Sequence, residues 1–221
     1  NCLIVIDKDF FVARRIAEDF GSPTLPGGLA DIPGKEVLTY QPDKARELWD
    51  QANKIHPWNG GKFQIAYNAD ASHQVWVEAV TNSIRQVLGI HASGKAYPTF
   101  KAMRDAVVNG TVGAAFRSGW NADYPSIDSF LTSNYKTNAA SNDGNYSNPE
   151  LDKALDTAAA QSNQDKARPF FDQAQTILMK DLPQIPLWYY AASTAWNPKL
   201  HGVESNWKGM PVFTEITKDG N

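Results

Sequence analysis

The chain has 221 residues, of which 42% are hydrophobic and 20% charged, and its formal net charge is −3. These values are typical of a soluble globular protein long enough to bury a sizeable core, and the lack of a basic excess argues against nucleic acid as a partner. The single cysteine, Cys2, excludes an internal disulfide, and no apolar run reaches the length needed to span a membrane.

The chain begins inside an apolar segment. Its first six residues, NCLIVI, contain no Met, and no polar segment precedes the apolar side chains. We therefore expect the sequence to be a piece of a longer protein. Residues 3–16 are rich in apolar side chains, and the spacing of Phe11, Val12 and Ile16 indicates a helix. Residues 21–34 carry repeated Gly and Pro and predict a long loop.

Helices and strands alternate in the predicted middle of the chain. Apolar spacing predicts three helices, at residues 43–55, 72–88 and 99–109. Alternating or apolar runs predict three strands, at residues 63–67, 91–97 and 112–120. The strand–helix–strand order between residues 63 and 120 implies a parallel or mixed sheet with helices packed on it, which is an α/β fold.

The last third of the chain is predicted to be less regular. Residues 132–149 are almost all polar and predict a surface loop. Two helices are expected to follow, at residues 149–161 and 165–180, the first of them starting at a proline. An extended segment then ends at Tyr190, and the tail from residue 194 to 218 predicts short strands and turns.

Residues 116–125, FRSGWNADYP, carry the strongest chemical signal. They follow the apolar run 112–116, and ligands bind where such strands leave an open α/β sheet. Asp123 is a carboxylate between Trp120 and Tyr124, which suits an ammonium group through charge pairing and a π face. A plainer interpretation stays open, in which Trp120 is a core aromatic and Asp123 fixes a turn.

Other chemistry finds little support. The four histidines are scattered without a cysteine partner, and a helix N-terminus explains Asp70 and Ser72 better than a metal does. No nucleophile elbow or phosphate-binding glycine loop occurs. We therefore predict no metal and no cofactor. Paired carboxylates of a hydrolase stay open, because such pairs meet only in the fold. His73 and Arg117 also fit a plain helix surface and a plain strand.

Seven segments of the chain follow one another in the order of a known family. They lie at residues 4–9, 27–29, 40–48, 119–125, 146–152, 185–190 and 197–203. In this order they resemble the family 5 extracellular solute-binding proteins, the peptide- and nickel-binding receptors of bacterial ABC importers. The resemblance implies an α/β, type II periplasmic-binding-protein lobe with a mixed sheet flanked by helices. Residues 1–190 would form this C-terminal lobe, and residues 191–221 would return toward the N-terminal lobe.

The resemblance also implies a binding site rather than an active site. It assigns ligand contacts to Asp123, Trp120, Asn121, Arg117, His73, Tyr190 and Trp188. Asp123 would pair with the α-amine of a peptide, while Arg117 and His73 would face its carboxylate end. Trp120 and Asn121 would line the groove, and the two aromatic residues of segment 185–190 would lie near the ligand's amino end.

The implied partners are a peptide and the permease subunits of an ABC importer. The whole protein is expected to be a monomer in the periplasm or on the outer face of the bacterial membrane, either free or held by a lipid anchor. The same scaffold with an oligosaccharide or another small solute as its ligand is the alternative, motivated by the surplus of aromatic residues. We expect the isolated piece to bind ligand weakly, because half of the cleft would be missing.

Overall fold

The computed structural model describes residues 14–26, 31–190 and 195–219. Cys2 and the segments at residues 4–9 and 27–29 lie outside this part of the chain. The described residues divide into two compact units. The first unit comprises residues 35–119, and the second comprises residues 14–26, 31–34, 120–190 and 195–219.

Seven strands and six α-helices are formed by the described residues. In chain order they are β1 (Arg14–Ile16), α1 (Pro42–Ile55), β2 (Phe63–Asn68), α2 (Gln74–Leu88), β3 (Ala92–Tyr97), α3 (Phe100–Val108), β4 (Ala115–Phe116), α4 (Asp128–Tyr135), α5 (Pro149–Ala159), α6 (Gln164–Asp181), β5 (Trp188–Tyr190), β6 (Leu200–His201) and β7 (Thr217–Lys218). Short 3₁₀ turns occupy Lys35–Leu38 and Phe213–Glu215. None of these α-helices combines the length and apolar character that a membrane crossing requires.

The first unit is built on a parallel sheet of three strands in the order β3-β2-β4. The strands β2 and β3 pair from Phe63↔Ala92 to Asn68↔Tyr97, and β4 pairs with β2 at Ile65↔Ala115. Helices α2 and α3 pack on the sheet, and α1 packs on α2. After β2 the chain adds β3 on one side of β2 and then adds β4 on the other side. The carboxyl ends of β2 and β4 therefore flank a topological switch point, where α/β sheets bind ligands.

Close packing of α2 against the sheet requires a glycine in β3. A Cβ at Gly94 would lie 2.8 Å from a ring carbon of Tyr67 and 3.1 Å from a methyl carbon of Val77. Val77 is fully buried on α2, as is most of the same helix face, including Trp76 and Val80. The missing side chain thus lets the helix approach the sheet closely enough to bury its apolar face.

The second unit contains the helices α4, α5 and α6 and the antiparallel pair β1–β5. Helices α5 and α6 pack along each other, and α4 contacts both. The strand pair is anchored by Asp19, a fully buried residue whose carboxylate accepts hydrogen bonds from Tyr189 Oη at 2.6 Å and from the Gly21 backbone N–H at 3.1 Å. Burial and the nearby Asp19 carboxylate raise the pKa of Tyr189. The residues after β1 are therefore tied to β5.

The tail of residues 195–219 forms the antiparallel pair β6–β7, with Leu200 opposite Lys218. Several of its large apolar side chains are exposed, namely Trp196, Trp207, Met210 and Phe213. Lys208 places its ammonium 5.1 Å from the centre of the Trp207 ring.

The α/β prediction and the five predicted helices after residue 42 are confirmed, each to within two residues at either end. The helix indicated by the spacing over residues 3–16 is wrong for Arg14–Ile16, which pair as a strand with β5. The predicted strand at 112–120 is observed only as Ala115–Phe116. Its late start has a local cause, because Gly113 adopts a φ of +54°, which is not an extended conformation. Residues 132–149 are not all loop, because α4 extends to Tyr135.

The carboxylate of Asp181 ties the loop before α5 to the end of α6. It accepts hydrogen bonds from Tyr146 Oη at 2.6 Å and from Asn148 Nδ2 at 2.9 Å. These two donors hold the pKa of Asp181 below its usual value of 3.8. A depressed folded-state pKa contributes stability above the unfolded-state pKa, and this contribution is lost as the pH falls through the folded-state value.

We therefore expect the free energy of unfolding to fall as the pH drops below about 4, and Asp181→Asn to make this fall shallower. Urea titrations at a series of pH values measure the effect. The control is Asp50→Asn, because Asp50 is an exposed carboxylate on α1. If Asp181→Asn gave the same pH profile as the unaltered chain, this contribution of Asp181 would be disproved.

Candidate ligand-binding site

Asn68 and Asp70 organise the carboxyl edge of the parallel sheet. Asn68 ends β2, is only 3% exposed and donates from Nδ2 to Asp70 Oδ1 at 2.6 Å. The other oxygen of Asp70 accepts the backbone N–H of Phe100 at 3.1 Å. These two donors hold the pKa of Asp70 below its usual value. Asp70 thus fixes the start of α3, whereas the sequence predicted that it begins α2, where no side chain caps the helix.

Arg117 lies at the same edge, directly after β4. Its backbone N–H donates to Ala66 O on β2 at 2.9 Å, which aligns the residue with the sheet. Its guanidinium carbon stands 5.4 Å from the centre of the Phe100 ring, a cation–π distance. Its Nε lies 3.1 Å from Nε2 of His73. His73 and Arg117, which the sequence predicted as two separate candidate residues, are therefore in contact.

His73 immediately precedes α2 and is half-buried. Its Nδ1 lies 3.1 Å from the indole Nε1 of Trp76, and the two rings meet edge to face at 6.2 Å. Both ring nitrogens of His73 are thus approached by N–H groups, one from Trp76 and one from Arg117. This arrangement differs from the plain helix-surface histidine that the sequence also allowed.

The motif of residues 116–125 straddles the two units, since the boundary falls between Gly119 and Trp120. Trp120 is half-buried, and its indole Nε1 is buried without a hydrogen-bond partner among the described residues. A buried N–H without an acceptor costs about 1–3 kcal/mol. Asn121, next to it, is exposed.

Asp123 is exposed, and its backbone rather than its side chain holds the local turn. The backbone N–H donates to Ser129 Oγ at 2.8 Å, and Ser129 is fully buried on α4. Among the described residues, no hydrogen bond or ion pair engages the Asp123 carboxylate. The neighbouring Tyr124 hydroxyl donates instead to Asp128, and burial together with that carboxylate raises its pKa. The turn therefore leaves the Asp123 carboxylate available.

Trp188 and Tyr190 lie on one face of β5, with their rings edge to face at 6.3 Å. Arg14 of the paired strand β1 places its guanidinium carbon 5.7 Å from the Trp188 ring centre and 5.1 Å from that of Tyr190. A cation of the chain itself thus covers this aromatic pair. A ligand ammonium at the same face would have to displace Arg14 or approach from another side.

Sequence reasoning missed four residues of these clusters: Asp70 in its observed role, Phe100, Trp76 and Arg14. Of these four, only Phe100 carried a local sequence signal for its position. It follows Thr99, the residue whose side chain caps the N-terminus of α3. Within the described ranges, no group of three or more His, Cys, Asp or Glu side chains is placed to hold a metal ion. The expectation of no metal and no cofactor stays a prediction.

The sequence of the chain is similar to those of known proteins. Residues 5–142 match the family model described as bacterial extracellular solute-binding proteins, family 5 Middle. The periplasmic oligopeptide-binding protein OppA of Haemophilus influenzae is 28% identical over 173 residues, covering 75% of this chain and 29% of that protein. The probable deoxycholate-binding periplasmic protein YgiS of Escherichia coli is 26% identical over 160 residues, covering 72% of this chain and 29% of that protein.

A solved structure shares the fold. The crystal structure of Haemophilus influenzae OppA in complex with the peptide RPPGFSPFR matches with a TM-score of 0.78 at 22% identity, covering 96% of this chain and 42% of that one. This similarity confirms the predicted α/β lobe of the periplasmic-binding-protein type. The matched part of the chain spans less than a third of the length of the two curated relatives.

Proposed function

Because the chain belongs to the bacterial extracellular solute-binding proteins of family 5, we propose that it is part of a receptor that captures peptides for an ABC importer. The ligand class is supported by the name of its relative OppA, an oligopeptide-binding protein. The observation that carries the proposal is the carboxylate of Asp123, which is exposed, follows Trp120 by three residues in the chain and has no hydrogen bond or ion pair within the described residues. An anion in such surroundings suits the ammonium group of a peptide.

Binding of the two ligand ends follows from the chemistry of the groups. Asp123 supplies a point anion for the α-amine, and Trp120 and Asn121 line the groove beside it. Arg117 and His73 take the carboxylate end, since a guanidinium presents a fork of donors that matches a carboxylate. Trp188 and Tyr190 contribute an aromatic surface toward the amino end. Opposite charges at the two ends fix the direction in which a peptide binds.

In this proposal the whole protein has two lobes that close around the ligand. Residues 1–190 belong to the C-terminal lobe, and residues 191–221 return toward the other lobe. Trp196, Trp207 and Phe213 of the tail are exposed, which supports this assignment. Burial of such large apolar side chains against another surface would stabilise the whole protein. Ligand binding shifts the open–closed equilibrium, and the closed form docks on the permease.

The proposed site of action is the periplasm or the outer face of the bacterial membrane, as the name of the relative OppA suggests. The protein acts there as a monomer and binds without catalysis, either free or held by a lipid anchor. A carboxylate-based hydrolase is the remote alternative, and turnover in a panel of glycoside and peptide substrates would favour it.

A second candidate keeps the scaffold and changes the solute to an oligosaccharide or another small molecule. The relative YgiS, named as a probable deoxycholate-binding protein, supports a non-peptide solute in this family. The aromatic content of 11% supports a ligand with apolar faces.

Mass spectrometry of the solute that copurifies with the whole protein discriminates between these candidates. The protein is purified without denaturation and exchanged into volatile buffer, and the solute is then released with acid. We expect a mixture of short peptides. Recovery of glycans or steroids alone, from protein that is fully occupied, would contradict the peptide proposal.

A further inference from the structure

Asn59 and Asn109 are the two asparagines of the chain that are followed directly by glycine. In such a pair the backbone nitrogen of the glycine can attack the side-chain Cγ of the asparagine, and it approaches easily because glycine has no Cβ. The new N–Cγ bond closes a succinimide ring as ammonia leaves. Water then adds to one of the ring carbonyls and opens the ring to aspartate or isoaspartate. The net change is the hydrolysis of a neutral carboxamide to a carboxylate, with no oxidant or reductant.

Asn109 is as exposed to solvent as Asn59, but it is held in the C-terminal turn of α3. Its own N–H donates to Asp105 O at 3.0 Å, and the N–H of Gly110 donates to Val107 O at 3.0 Å. At the observed ψ of 1°, the Gly110 nitrogen eclipses the backbone nitrogen of Asn109 and lies away from its side chain. Ring closure would therefore break the hydrogen bond of the attacking N–H and rotate the backbone out of this turn.

Asn59 lies in the loop between α1 and β2, where the same reaction meets no such obstacle. Within the described ranges, no hydrogen bond engages the N–H of Gly60. A Cβ at Gly60 would find no heavy atom within 4 Å apart from its chain neighbours, so the space around the attacking nitrogen is open.

The carboxamide of Asn59 is also turned toward the backbone that follows it. Its Oδ1 accepts the backbone N–H of Gly61 at 3.0 Å. This donor withdraws electrons from Cγ and stabilises the negative charge that develops on Oδ1 when the Gly60 nitrogen attacks. The contact therefore assists the step that closes the ring.

We propose that Asn59 is a site of spontaneous deamidation and that the turn at the end of α3 protects Asn109 from the same reaction. The modification makes the formal net charge one unit more negative than its present −3. The new carboxylate lines the cavity that Asn59 shares with His56 and Trp58. The isoaspartate product also adds a methylene to the backbone after Trp58, whose N–H is bound to Asn53 Oδ1 at 2.7 Å. Ageing thus changes both the charge and the length of this loop.

Mass spectrometry of the folded chain, incubated in neutral buffer and then digested with trypsin at mildly acidic pH, tests the proposal. Trypsin releases the two sites on separate peptides, residues 55–62 and 105–117, each with a single asparagine. We expect the first peptide to deamidate about tenfold faster, because closure at Asn109 must break the hydrogen bond of its glycine N–H. We also expect isoaspartate beside aspartate. Equal rates at the two sites, or aspartate alone, would overturn the proposal.

The same chain in concentrated urea is the control for the effect of local sequence. We expect the two peptides to deamidate at similar rates there, because the hydrogen bonds of the α3 turn are lost. If Asn59 kept the same lead in urea, the difference would come from the local sequence, and protection by the fold would be disproved.

A matched pair of variants assigns the site without digestion. Asn59→Gln moves the carboxamide one methylene further out and disfavours the ring, and Asn109→Gln makes the same change at the protected site. Isoelectric focusing of the aged chain is expected to show an acidic species that Asn59→Gln removes and Asn109→Gln leaves unchanged. An acidic species that persists undiminished in folded Asn59→Gln would contradict the assignment.

Discussion

Asp123→Ala is expected to weaken peptide binding by the whole protein more than tenfold. A hydrogen bond to a charged group contributes about 1.5–3 kcal/mol, which corresponds to roughly tenfold to hundredfold in affinity. The Asp123 carboxylate has no partner in the described chain, so its removal leaves no group of the protein unpaired. Isothermal titration calorimetry with an unmodified tripeptide measures the loss.

The same site predicts a matching effect on the ligand side. Acetylation of the peptide's α-amine removes its charge, so it should cost the unaltered protein as much affinity as Asp123→Ala does and should cost the variant little more. Asp50→Ala, which removes an exposed carboxylate from α1, serves as the control. Equal affinity of the unaltered protein for free and acetylated peptide would contradict the assignment of Asp123.

Leu155→Ala is expected to lower the free energy of unfolding by about 2–5 kcal/mol. Leu155 is 1% exposed on α5, the helix that packs along α6. Its loss leaves a cavity between two helices that are each held by other buried side chains, including Leu151 and Leu178. Urea unfolding followed by circular dichroism measures the change.

The matched control is Leu48→Ala, because Leu48 lies on α1 and is 52% exposed. An exposed substitution of this kind usually changes stability by no more than about 0.5 kcal/mol. A cost below about 1 kcal/mol for Leu155→Ala would show that the core between α5 and α6 is loosely packed.

Most helices could be predicted because their signals are local. Helices α2 and α5 bury one face, and the apolar residues on that face recur with the helical period. The start of α5 carries an additional signal, since Asn148 accepts the backbone N–H of Glu150 and of Leu151. Helix α4 escaped prediction because it buries Ser129 and Asn134 along with its apolar side chains. Their polar atoms are satisfied by backbone groups of nearby residues, which hydropathy does not register.

The candidate site likewise has one part that local sequence predicts and another part that depends on long-range contacts. The Trp120–Asp123 motif is contiguous, so the sequence alone pointed to it. The cluster around Arg117 depends on contacts across 30 residues, from Asp70 to Phe100, and across 44 residues, from His73 to Arg117. Arg14 meets Tyr190 only through the pairing of β1 with β5. Such contacts are set by sheet register, which no short window of sequence encodes.

The pairing of β1 with β5 also constrains how the protein emerges from the ribosome. The Tyr189 hydroxyl binds the backbone N–H of Glu18 across 171 residues. At about 5–20 residues per second, translation needs roughly 10–30 s to supply the second strand after the first. The first unit, residues 35–119, is fully synthesised within that interval. During this time the backbone groups of the nascent β1 cannot yet pair with β5, so this strand pair forms only after the sheet of the first unit has been synthesised.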